Sequence, residues 1–349
     1  MESKPLPVGG WTKHDRWAVP GMRIPAFRSG LAAQKGTNNN ILIKTWGGIG
    51  DQICSEPTLR YAREHFKKVR LTLVSPIPEV FSHIKFDDVY NNTQEWPIYD
   101  DYLCLETNSE TDKWNLFYQF VSHNVVHCVD FPCLSALRST LPVDKKVVRL
   151  IPPTPGLKFF DLLRDVDLKK CVVVHAGKHW QSKTFPKTWW DAAINSITEK
   201  GLTPILIGKE NGPGQGTVDT TVELCIDMRE KTTLLETIWL LQNVPVVICN
   251  DSSPLHMAVT GTAWIGFLAT AKHFDYITHW RNNMRGIPEW GWQMQNLSLG
   301  GYWDIQDFSP GDVEDKTIDK VDPKILESWL PKPETIGAFC HEKHNIVRI

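Results

Sequence analysis

The stretch Pro245–His256, reading Pro-Val-Val-Ile-Cys-Asn-Asp-Ser-Ser-Pro-Leu-His, constrains the fold more than any other part of the chain. Val246-Val247-Ile248-Cys249 has the length and β-branched content of a buried parallel strand, and it stops at the polar group Asn250-Asp251-Ser252-Ser253. A helix is expected to begin there. Ser252 or Ser253 can cap its unpaired amides, Pro254 suits its first turn, and His256-Met257-Ala258-Val259 continues it. A strand feeding a helix start through small polar residues fits an anion such as phosphate, because amides and helix dipole converge on the gap. The same residues also suit an ordinary capped helix. The stretch therefore points to an α/β architecture before it points to a function.

A second turn of this kind lies far upstream. Asn38-Asn39-Asn40 leads into an expected strand, Ile41–Trp46, followed at once by Gly47-Gly48-Ile49-Gly50-Asp51. A helix is expected from about Gln52 to Phe66 and a strand from Val69 to Val74, completing one βαβ unit whose glycines permit a tight turn. The glycines lack the full G-x-G-x-x-G spacing, no acidic residue ends the second strand, and no Lys-Ser/Thr pair follows. These gaps argue against a dinucleotide-binding fingerprint and against a P-loop. What remains is an open turn that presents Asp51 at the mouth of a sheet, as a helix-start cap or as a reactive carboxylate.

Around these two turns the chain reads as two α/β halves. Residues 1–39 form an irregular, Pro- and Gly-containing N-terminal arm, residues 40–155 a first domain, residues 156–330 a second, and residues 331–349 a C-terminal tail. The stiff segment Ile151–Gly156 is the expected linker. Residues 75–150 offer short strands at 88–90, 102–105 and 125–129 and an amphipathic helix at 114–121. In the second half, Cys171–Val174 is an expected strand followed by a polar loop, His175–Thr184; a helix runs from about Pro186 to Lys200 and a strand from Pro204 to Ile207. Asn211–Gly216 reads as a Gly-rich loop, Thr233–Leu241 as a helix, Trp264–Leu268 as a strand and Pro323–Trp329 as a short helix.

Composition narrows the function classes. At roughly 100–200 residues per domain, 349 residues make two domains. A net charge of -2 gives no support for broad electrostatic binding to nucleic acid or to an acidic membrane. No stretch approaches the roughly 20 apolar residues of a membrane span, and the N-terminus lacks the apolar core of a signal peptide. The eight cysteines follow no regular spacing, which fits free thiols in a reducing cytoplasm. Two His/Cys groups, His123, His127, Cys128 and Cys133, and Cys340, His341 and His344, lack the spacing of a zinc site, so no metal is expected. The 15 tryptophans cluster partly between Trp264 and Trp303, and the segment 276–303, with Arg281 and Arg285, suits either core packing or stacking on sugars or bases.

Three separated motifs carry a family resemblance. Gly48-Ile49-Gly50-Asp51 ahead of Pro57, His175-Ala176-Gly177 with Lys183-Thr184-Phe185-Pro186, and Asn250-Asp251-Ser252-Ser253-Pro254-Leu255-His256 follow one another in order. Together they resemble the heptosyltransferase-like inverting glycosyltransferases of family 9, over roughly residues 41–275. The resemblance implies the GT-B fold, two facing Rossmann-like domains with a cleft between them, and metal-independent transfer to an acceptor hydroxyl from a nucleoside-diphosphate sugar, ADP-heptose-like or a UDP-sugar, that serves as co-substrate, with no further cofactor. It implies Asp51 as catalytic base in a glycine loop of Gly47, Gly48 and Gly50. It also implies a donor site of Lys183, Glu210, Asp251, Ser252, Ser253 and His256, with Lys183 on the diphosphate and Glu210 near the nucleoside. Ser253 stands where the family has Gly, and Phe185 where it has Trp. The acceptor is expected to be a saccharide, a lipopolysaccharide or a modified DNA. A phage-type DNA glycosyltransferase, a non-catalytic nucleotide-sugar binding protein and a sugar epimerase remain alternatives.

Overall fold

The computed structural model describes residues 40–92, 102–107, 129–137, 139–178, 187–209, 211–212, 215–218, 220, 222–250, 252–268 and 332–346. The N-terminal arm, the helix expected at 114–121, most of the strand expected at 125–129, the Trp-rich segment 276–303 and the helix expected at 323–329 lie outside the described residues. The described residues fall into two compact units that meet in sequence between Ile151 and Pro152.

The first unit runs β1 (Asn40–Thr45), α1 (Ile49–His65), β2 (Arg70–Ser75), β3 (Asp88–Asn91), β4 (Tyr102–Thr107) and α2 (Asp130–Leu137). Its four strands are parallel in the order β3-β2-β1-β4, with Ile41 opposite Leu71 on one side and Leu103 on the other. Ile41, Leu42, Ile43, Leu71, Leu73 and Val74 are buried, as continuous apolar strands of a parallel sheet must be. Helix α1 begins three residues before the expected Gln52, so Asp51 sits inside its first turn. Further along α1, Glu56 is fully buried and accepts from Arg60 Nε at 2.8 Å and from the Arg149 amide at 2.8 Å, with His83 Nε2 at 3.2 Å. A buried carboxylate persists only with such partners, and these tie the helix to the end of the unit.

The second unit runs α3 (Leu157–Asp161), β5 (Cys171–His175), β6 (Gly177–Lys178), α4 (Lys187–Glu199), β7 (Thr203–Leu206), β8 (Asn211–Gly212), β9 (Gln215–Thr217), β10 (Ile226–Asp227), α5 (Leu234–Asn243), β11 (Val246–Asn250), α6 (Ser253–Ala258), β12 (Trp264–Leu268) and α7 (Pro333–Ile346). Five strands are parallel in the order β10-β7-β5-β11-β12. Val246–Cys249 is paired on both sides, with Val172–His175 and with Trp264–Phe267, which explains its unbroken apolar character. Thr233 caps α5 through its hydroxyl, and Glu236 returns the bond to the Thr233 amide at 2.8 Å.

Two local expectations change. Within the expected loop, Asn211–Gly212 and Gln215–Thr217 pair as antiparallel strands that add to β6, in the order β6-β9-β8. Residues Pro333–Ile346, in the expected tail, form a helix whose Ile336, Phe339 and Cys340 join Trp189, Trp190 and Ile194 of α4 in one core. Gly337 is the contact point, since a Cβ there would stand 2.1 Å from Ser196 Oγ and 2.4 Å from its carbonyl. Helix α7 thus closes over α4 at a distance that only glycine allows.

Candidate functional site

In an open parallel sheet, ligands gather beyond the carboxyl ends of the strands where the strand order reverses. In the first unit that point lies between β1 and β4; in the second it lies between β5 and β11. Both turns singled out by the sequence stand at these points.

Past β1, the run Trp46–Ile49 is exposed, and it bends at Gly47, whose φ of +95° places it in the left-handed region. The turn wraps the Asp51 side chain: Oδ2 accepts from the Gly48 amide at 2.9 Å, and a Cβ on Gly47 would lie 2.5 Å from the same oxygen. Asp51 therefore closes a capping box on α1. Its other oxygen, Oδ1, belongs to a half-buried residue at the rim of the sheet. Beneath the turn, Gln52 bonds the Gly47 carbonyl at 3.3 Å and receives Ser75 Oγ at 3.3 Å, while Ser55 joins Thr107 at 3.1 Å. The ends of β2 and β4 are thereby fixed to the first turns of α1. Gly48 is the N-cap and Gly50 a half-buried first-turn residue.

Past β5 and β11, four residues interlock. Asn250 Nδ2 donates to the Gly177 carbonyl at 2.8 Å. Ser252 Oγ reaches Asn250 Oδ1 at 3.1 Å, the Asn250 carbonyl at 3.2 Å and His175 Nδ1 at 3.2 Å. The imidazole is wedged between two glycines. A Cβ on Gly177 would meet His175 Cε1 at 2.6 Å and Asn250 Oδ1 at 2.5 Å; a Cβ on Gly208, at φ +122°, would meet His175 Cδ2 at 3.1 Å and Thr217 Cγ2 at 2.5 Å. Enclosure of the ring pushes the His175 pKa down to about 4, against a smaller upward pull from its hydrogen bond with Asn250. The ring is neutral at neutral pH.

This geometry amends the expected capping. Ser252 is the N-cap of α6, yet its hydroxyl makes no cap bond and turns instead to Asn250 and His175. Ser253 is the first helical residue, and His256, 8% exposed, is packed into the unit. Lys183, Glu210 and Asp251 lie outside the described residues. His175, Gly177 and Asn250 appeared in the sequence only as parts of motifs; their strand-end positions were the signal that they act together.

Elsewhere the chemistry is quiet. Burial pushes the Cys133 and Cys171 thiols up to about 12 and Cys225 up to about 11, and raises Cys340 as well, so these thiols stay protonated and inert. His344 Nε2 is bonded to the Lys169 carbonyl, and Cys340 belongs to the core. Among the described residues no group of three His, Cys, Asp or Glu side chains is placed to hold a metal, and no helix is long and apolar enough to cross a membrane.

The two parallel α/β units carry the architecture of GT-B glycosyltransferases. TibC of enterotoxigenic E. coli H10407, an iron-containing dodecameric glycosyltransferase, is 15% identical over 89% of this chain and 77% of its own, with a TM-score of 0.57. TibC as a heptosyltransferase in complex with ADP-D-beta-D-heptose gives 14%, 89%, 79% and 0.55. The E. coli ADP-heptose lps heptosyltransferase II is 11% identical over 89% of this chain and all of its own, with a TM-score of 0.53. At such identities these likenesses concern the fold. No curated protein matches the sequence. Residues 155–267 match the family described as Glycosyltransferase family 9 (heptosyltransferase), a span from the segment before α3 into β12 that contains the whole His175–Ser252 cluster. Over that span the second unit is similar to the heptosyltransferase-like glycosyltransferases.

Proposed function

We propose that the chain transfers a sugar from a nucleoside-diphosphate sugar of the ADP-heptose kind to the hydroxyl of a saccharide acceptor, with inversion and without a metal ion. The observation that carries this is the rigid polar cluster at the β5/β11 strand ends, inside the segment that matches family 9. Its position is where a nucleotide's phosphates settle in an open α/β sheet. The TibC structure with ADP-D-beta-D-heptose supports the choice of donor.

In the proposed reaction the acceptor oxygen forms a bond to the anomeric carbon as the bond from that carbon to the diphosphate oxygen breaks. The acceptor's proton passes to the Asp51 carboxylate, and the electron pair of the broken bond leaves with the diphosphate. Lys183, with Asp251, Ser252, Ser253 and His256, would line the donor phosphates, and Glu210 would lie near the nucleoside. Charge building on the leaving group would be met by Lys183 and by backbone amides, groups that commonly contribute roughly 3 kcal/mol or more each. Displacement from the face opposite the diphosphate inverts the anomeric centre.

The test is a thermal-shift panel of ADP, UDP, GDP and CDP, with and without magnesium, on the wild type and on Lys183→Ala. Stabilisation by one nucleoside diphosphate, independent of magnesium and lost in the variant, is the expected result. If no nucleotide stabilises the protein at millimolar concentration, the donor site is not where we place it.

A further inference from the structure

Trp46 is a large aromatic residue left partly exposed at the carboxyl end of β1. It follows a strand whose Ile41, Leu42, Ile43 and Thr45 are buried, yet it keeps 37% of its surface exposed. Ile49, three residues on, keeps 39%. Together the two side chains leave a small apolar patch beside the turn. The Lys44 ammonium lies 3.7 Å from the centroid of the Trp46 ring, a cation–π contact on one face of the indole, so that a ligand would stack on the other. Gly47, the next residue, packs against Asp51 Oδ2. The indole and the carboxylate are therefore carried on one turn, five residues apart, at the point where the first sheet's strand order reverses.

We propose that Trp46, flanked by Ile49, is the acceptor platform: the C–H face of a saccharide ring stacks on the indole while the hydroxyl to be glycosylated faces Asp51. This rests on the assignment of Asp51 as base and of a saccharide as acceptor, and adds to them the residue that positions the acceptor ring. A pyranose offers polarised C–H groups on one face and hydroxyls around its edge, which matches an electron-rich ring beside a carboxylate. A base flipped from a nucleic acid would also stack on Trp46, but a polynucleotide needs several cations along its backbone. Among the described residues the turn and the strand that precedes it, 40–51, carry one, Lys44, against one anion, Asp51. The saccharide is thus the favoured guest.

The experiment is saturation-transfer NMR on the full chain with methyl glycosides of glucose, galactose and mannose, and separately with a short single-stranded oligodeoxynucleotide. The wild type should bind at least one glycoside at millimolar concentration, with the strongest transfer to the protons of one ring face. Trp46→Ala should weaken that binding roughly tenfold, and Trp46→Phe, which keeps a stacking face, by no more than about threefold. Stabilisation by the nucleoside diphosphate should be the same in all three proteins. Equal glycoside binding by wild type and Trp46→Ala, or binding of no glycoside, would overturn the platform; so would an oligodeoxynucleotide that binds through Trp46 where glycosides do not. Failure of the donor assignment is seen separately, as loss of the nucleotide response in the wild type.

Discussion

The turn after β1 and the turn after β11 occupy equivalent places in their sheets and are built in opposite ways. After β1 the backbone is exposed from Trp46 to Ile49, and the turn is held by one carboxylate folded back on its own helix amide at 2.9 Å. After β11 the polar atoms are locked by bonds across two strands: Asn250 to Gly177, and Ser252 to Asn250 and His175. The comparison separates a rim that can receive a variable partner from a socket that is shaped in advance. Binding in a preformed socket spares the cost of ordering side chains, which suits a phosphate group that is the same in every donor. An exposed rim with an aromatic suits the more variable half of the reaction.

The largest expected effect tests whether the first turn is more than a cap. Asp51→Asn should lower transfer by roughly 100-fold or more if Asp51 is the base, with nucleotide stabilisation unchanged. If it serves only as the helix cap, transfer persists and the melting temperature falls by what about 1 kcal/mol of lost capping implies. Next in size is Gly177→Ala, whose Cβ would stand 2.5 Å from Asn250 Oδ1 and 2.6 Å from His175 Cε1. Overpacking at that point should cost about 1–3 kcal/mol in a denaturant titration and weaken nucleotide binding in parallel. Asn250→Ala should follow, at about 1–3 kcal/mol, because the Gly177 carbonyl and the Ser252 hydroxyl lose a buried partner.

The smallest effect is one of pH. His175 in the folded chain has its pKa lowered from 6.5 to about 4 by burial. Below pH 6.5 the unfolded chain takes up a proton that the folded chain refuses, so the contribution of this site is complete above that value and is lost progressively as pH falls to about 4. His175→Gln should flatten this part of the stability profile, measured by thermal unfolding between those limits. An unchanged slope would mean that the ring is less enclosed than its two flanking glycines imply.

Much of this was legible in residues alone. The unbroken β-branched run at Val246–Ile248 required a strand paired on both sides, because only a doubly covered parallel sheet buries both faces of a strand. The order of three motifs was enough to name the family that residues 155–267 match. Asp51 and Ser252 were visible as polar residues beside small ones at strand ends. What Ser252 bonds to was not visible, since its partner His175 is 77 residues away and reaches it only when β5 and β11 pair. The C-terminal helix escaped for a similar reason: its apolar stripe is short, and the partners that make it helical, Trp189, Trp190 and Ile194, lie on α4.

The sequence by itself determined the succession of strands and helices, the glycines at the turns and the placing of reactive side chains at strand ends, because periodicity and backbone torsion are local properties. Only the tertiary structure decided which way the Ser252 hydroxyl turns, that Gly177 and Gly208 clamp the His175 ring, and that Trp46 keeps about a third of its surface exposed, at 37%. These are matters of what stands beside a residue across the sheet, and that depends on pairing between strands far apart in the chain.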